Sequence, residues 1–146
     1  MTNNKEFLNK ISMLYPINSA QTNENPIFYF EYETLPSVSI IQFNIAMTGI
    51  KVSKTDYILN LKITNDDQED LVNTDTPFNA SELSFDKSKM IDKDYGSATI
   101  MLTPPNFTIT TKQHLYNVVL TLLDGSGVVY DISKTWFLTR KDPKLE

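Results

Sequence analysis

The sequence predicts a mostly-β domain: an antiparallel two-sheet sandwich of about eight strands, preceded by a short N-terminal helix. Three observations carry this expectation. Apolar and polar residues alternate along several short runs, the period of a half-buried strand. Turn-forming residues separate the runs, most clearly Asp124-Gly125-Ser126-Gly127, the strongest hairpin signal in the chain. After residue 15 helical spacing is almost absent, so the crossover helices that parallel strands require are missing.

Residues 1–25 read as a helical arm and linker. Asn3 or Asn4 can cap, and Phe7, Leu8, Ile11, Leu14 and Tyr15 recur at spacings of three and four. Pro16 disfavours the α region for the residue before it and ends the helix, and Asn18 to Asn25 is polar.

Residues 26–140 read as the sandwich. In Ile27 to Glu33, Phe28, Phe30 and Tyr32 share one face, opposite Tyr29, Glu31 and Glu33. Val38 to Met47 follows, and Gly49 marks a bulge or turn. The clearest strand is Asp56 to Thr64, with Tyr57, Leu59, Leu61 and Ile63 facing one way. It enters an acidic turn and a return strand that starts at Leu71-Val72, after which residues 73–94 read as irregular. Ser97 to Thr103 is the next strand, ended by Pro104-Pro105, with a short edge segment around Phe107 and Ile109. His114 to Leu123 and Val128 to Ile132 flank the hairpin turn. Trp136 and Leu138 close a last strand before the polar tail 141–146.

Tyr57 to Asp66 and Tyr116 to Asp124 share a pattern, each a Tyr-led alternating strand ending at an acidic turn. Central sandwich strands converge on such a pattern, and a repeated hairpin, one per sheet, is the sharper reading. In strand count and alternation the chain resembles immunoglobulin-like and similar Greek-key sandwiches, without the Cys…Trp…Cys hallmark of true immunoglobulin domains.

Composition narrows function by exclusion. The chain has no cysteine, which removes disulfides, thiol catalysis and zinc–thiolate sites. A net charge of -5 and a single arginine, Arg140, disfavour phosphate-directed nucleic-acid binding; Lys134, Arg140, Lys141 and Lys144 make only a small basic patch. No run approaches the ~20 apolar residues of a membrane-spanning helix, and the first residues lack a signal-peptide core, so the expectation is a soluble, acidic, cytoplasmic protein.

No catalytic residue is nominated. The one histidine, His114, heads a strand with no nucleophile elbow in the chain, and reads as a surface or hydrogen-bonded residue. Glu31 and Glu33 are the local pair of acids, explained by exposure. Residues 66–94 hold nine acidic residues and three lysines. Yet Asn65, Asp67 and Glu69 lack the loop glycine of a calcium site, where Asp70 stands instead, and Asp92 to Gly96 lacks the closing Glu, where Thr103 stands. Tyr29, Tyr32, Tyr95, Tyr116, Tyr130 and Trp136 are candidates for stacking sugars.

The expectation is therefore a non-catalytic protein-interaction or structural module without cofactor or metal. It would bind a protein partner or a second copy through a sheet edge, the N-terminal helix or the acidic segment. A ligand-binding sandwich for glycan or calcium is the alternative.

Overall fold

The computed structural model describes residues 5–20 and 25–145. They are mostly β, with ten strands: β1 (Lys10–Asn18), β2 (Tyr29–Tyr32), β3 (Ser37–Val38), β4 (Ile41–Lys51), β5 (Tyr57–Asn65), β6 (Asp70–Phe78), β7 (Tyr95–Leu102), β8 (Thr108–Ile109), β9 (His114–Asp124) and β10 (Val129–Lys141). The helical content is four three-residue 3-10 turns.

One sheet has the order β1-β4-β7; the other has the order β2-β10-β9-β5-β6; β3 and β8 form a two-stranded ribbon. All pairings are antiparallel except β2 with β10. Alternation aims Ile41, Phe43, Ile45 and Met47 of β4 and Tyr57, Leu59, Leu61 and Ile63 of β5 into one buried cluster, joined by Tyr116, Val118, Leu120 and Leu122 of β9. Phe43 from the smaller sheet meets Phe137 of β10 with ring centroids 6.3 Å apart, and Phe137 stacks on Tyr116 at 4.6 Å. The two sheets thus enclose a shared core, a sandwich-like arrangement.

The expected N-terminal helix is a strand. β1 pairs with β4, and the ladder slips between Ile11 and Met13, so Ser12 is an extra residue. That bulge converts the two-residue step between inward positions into three, and Ile11 and Leu14 both pack on the core. The helix-like spacing arises from this slip. Pro16 is tolerated because β1 is an edge strand: its carbonyl accepts from Ile27 N at 2.9 Å, on the side away from β4, so its missing N–H removes no bond to β4. Of the expected linker, residues 21–24 lie outside the described residues, as do the capping candidates Asn3 and Asn4.

Two further boundaries move. Residues 73–78, expected to be irregular, complete β6, and the two expected strands at Val128–Ile132 and Trp136–Leu138 are one thirteen-residue β10. Gly49 sits in a bulge as expected, with φ 73° and the ladder slipping between Met47 and Ile50. The two Tyr-led hairpins do not lie one per sheet. β5 and β9 are neighbours, Tyr57 opposite Asp124 and Tyr116 opposite Asn65, so hairpins β5–β6 and β9–β10 meet about a local two-fold axis near Leu61 and Leu120.

Their turns use the same device. Asn65 Oδ1 accepts from the backbone N–H of Asp67 and Glu69, both at 3.0 Å. Asp124 Oδ1 accepts from those of Ser126 and Val128, at 2.9 and 3.2 Å. Asp124 is also hydrogen-bonded by the Tyr130 hydroxyl, which with Ser126 holds its carboxyl far below the usual carboxylate range, and Lys54 stands 3.3 Å away.

Candidate functional site

The outer face of the five-stranded sheet is built by the residues that alternate away from the core. On β10 these are Ile132, Lys134, Trp136, Leu138 and Arg140; on β9, Leu115, Asn117, Val119, Thr121 and Leu123. Register aligns them in rows. Trp136 lies beside Asn117, Asn117 beside Thr64, and Thr64 beside Asp70, crossing four strands. The next row toward β2 is Tyr29, Leu138 and Leu115. Tyr29 is 61% exposed, Trp136 59%, Ile132 56% and Leu115 54%. Tyr29, Leu115 and Trp136, with half-buried Leu138 among them, adjoin as an exposed apolar group of the kind that marks interaction sites, while Ile132 stands apart from them beyond Lys134 and beside Thr121.

Toward the β5–β6 turn this face dips into a shallow depression of about 740 Å³, with Trp136 and Leu115 on one side and Lys62, Thr64, Asp66 and Asp70 on the other. Asn117 Oδ1 is buried there without a hydrogen-bond partner among the described residues. Lys134 makes no ion pair among the described residues, while Lys62 stands 3.8 Å from Asp70 and Arg140 3.5 Å from Glu31.

Of the six aromatic candidates, only Tyr29 and Trp136 are exposed on this face. Tyr32 and Tyr116 are buried, and Tyr130 is half-buried with its hydroxyl on Asp124. Leu115, Ile132 and Asn117 were not singled out from sequence. The available signal is β9 itself, which carries Leu115, Val119 and Leu123 on its outer face as well as an apolar inner one.

His114 is 5% exposed, and its Nδ1 lies 2.7 Å from Asp66 Oδ1. An ionised carboxylate only accepts, so the imidazole N–H donates; this bond is the main cause of the lowered Asp66 pKa. With Lys112 on both oxygens of Asp67, at 2.7 and 2.9 Å, it pins the β5–β6 turn to the start of β9. The proposed calcium positions turn their oxygens to this local work: Asn65 and Glu69 bond each other at 3.1 Å and Asp67 faces Lys112. Among the described residues no three His, Asp or Glu side chains converge as a metal site. Glu31 lies on β2 and Glu33 after it, both exposed.

The acidic middle segment forms a second cavity. Two 3-10 turns, Ala80–Glu82 and Lys87–Lys89, carry Leu83, Phe85 and Met90 beside Val52, lining an open hollow of about 590 Å³. Phe85 rests on Gly96, where a Cβ would come within 2.5 Å of the ring.

Compared with known protein families the chain matches none, and comparison with curated proteins likewise finds no match. No helix among the described residues is long and apolar enough to cross a membrane.

Proposed function

We propose that the chain is a non-catalytic protein-interaction module, and that its docking surface is the outer face of the five-stranded sheet around Trp136. The carrying observation is the exposed apolar group Tyr29, Leu115 and Trp136 on adjacent strands of one face. Tryptophan and tyrosine anchors amid aliphatic neighbours match the composition of binding hot spots. Lys134, without an ion-pair partner in the middle of that face, fits a partner that is apolar with an acidic side chain opposite it. The order β1-β4-β7 against β2-β10-β9-β5-β6 supports an immunoglobulin-like scaffold, with β4, β5, β9 and β10 taking the places of strands B, C, F and G. An experimental structure with another strand order would overturn that assignment.

The test is affinity capture from the native host with wild type, Leu115→Glu and Trp136→Ser, alongside Thr99→Glu on the opposite sheet. A protein retained by wild type and Thr99→Glu, and lost with both face variants, is the expected result. Equal capture by all four overturns the proposal. Light scattering separates the remaining outcome, since a dimer dispersed by Leu115→Glu replaces the foreign partner with a second copy.

A sugar is the second reading, favoured by the unpartnered Asn117 Oδ1 beside the Trp136 ring. Chemical-shift changes confined to Asn117 and Trp136 on adding soluble polysaccharide would select it.

A further inference from the structure

We infer that the cavity in the 79–94 segment binds the free form of a single-chain anionic amphiphile, a medium-chain fatty carboxylate. The cavity's walls are Val52, Leu83, Phe85 and Met90, all half-buried, and its volume of about 590 Å³ falls within the ~300–1,000 Å³ typical of small-molecule sites. Its other lining includes Lys87 and Lys93, both exposed.

The charges around the cavity are not evenly satisfied. Lys89, one residue from Met90, stands 3.7 Å from Asp86, whereas neither Lys87 nor Lys93 makes an ion pair among the described residues. In a segment rich in carboxylates, the two lysines left unpaired are the two that line the apolar hollow. Lys93 is held there by an unusual backbone. Asp92 and Lys93 have φ of 51° and 61°, and Asp94 N donates to Ile91 O at 3.1 Å, a turn with both central residues left-handed. Glycine or asparagine takes that conformation more readily than lysine.

An open apolar hollow edged by two unpaired ammonium groups complements a hydrocarbon tail bearing one negative head. The lysine stems can lie along the tail while their charges meet the carboxylate. A neutral lipid would leave the lysines unused, and a small inorganic anion would leave the apolar walls unused.

Calorimetry and amide chemical-shift mapping test this with sodium hexanoate, octanoate and decanoate below their micellar concentrations, with decanol and sulfate as controls. Affinity is expected to rise roughly fourfold per added methylene until the cavity is filled. Shifts are expected at residues 52, 83–93 and 96. Lys87→Gln/Lys93→Gln, a surface change that leaves the fold intact, is expected to weaken decanoate about tenfold and leave decanol unchanged. Met90→Asp is expected to abolish binding of all chain lengths. The inference is overturned by absence of decanoate binding at millimolar concentration, by equal decanoate affinity in the double variant, or by shifts centred on Trp136. The last outcome would mean that the amphiphile merely coats the exposed sheet face.

Discussion

Neighbouring residues of β10 carry opposite duties. Phe137 is 2% exposed and sits among Phe30, Phe43 and Tyr116, while Trp136 projects from the other side of the same sheet. Phe137→Ala is expected to cost about 3–5 kcal/mol in urea unfolding. Trp136→Ala should change stability by less than about 0.5 kcal/mol and spare the fold. If Trp136→Ala proved the more destabilising, its ring would be packing on the domain rather than awaiting a partner. Asp66 supplies a pH signature. Its carboxyl lies below its ordinary value of 3.8 because the His114 imidazole donates to the charged form. A lowered folded-state pKa gives stability that is present above the unfolded value and lost as pH falls through the folded one. The advantage of wild type over Asp66→Asn in urea midpoint should therefore be full at about pH 6 and fade below pH 3.8. An advantage that persisted to lower pH would remove the carboxylate as its source.

At the scale of elements, most strands were legible because their inward positions recur at period two. Tyr57, Leu59, Leu61 and Ile63 of β5 are the clearest case, each fully buried. β1 departs from its sequence pattern for a physical reason: the extra residue at Ser12 disguises a strand as a helical repeat, and Pro16 looks like a helix stop when it is an edge-strand residue. β6 was read short because Asn73, Asp75 and Pro77 disfavour strands, yet these suit an outer edge, where charge and proline deter further strand pairing. The two matching turns make a paired prediction. Asn65→Ala removes the acceptor of two backbone N–H groups and should cost about 1–2 kcal/mol. Asp124→Ala should lower the urea midpoint further, since Asp124 also holds Tyr130 and Lys54. The reverse order would show that the Tyr130 and Lys54 contacts add nothing.

For the whole molecule, the exposed face around Trp136 is less legible in the sequence than the fold. Alternation identifies which side of a strand is buried, but not which outward positions gather into one surface. That requires register: Trp136, Asn117, Thr64 and Asp70 are scattered along the chain and become consecutive only across β10, β9, β5 and β6. The charge of the acidic middle segment is visible in the sequence and its apolar hollow is not, because Val52 and Phe85 come together only through tertiary packing.

The local two-fold axis between the hairpins bears on how the chain reaches its native state. Each hairpin closes over a turn of a few residues, a local event on the microsecond scale. The seam between them pairs residues 57–65 with 116–124, across a longer stretch of chain than the one that separates β1 from β4. The late and slow step is then the docking of two preformed, similar hairpins along β5 and β9, in the milliseconds-to-seconds range of non-local β topologies. Until that seam closes, β5 and β9 each present an open apolar edge. Because the hairpins are alike, the nearest competitor for each edge is the corresponding hairpin of another chain. Concentration during synthesis, rather than final stability, would then govern the yield of folded monomer.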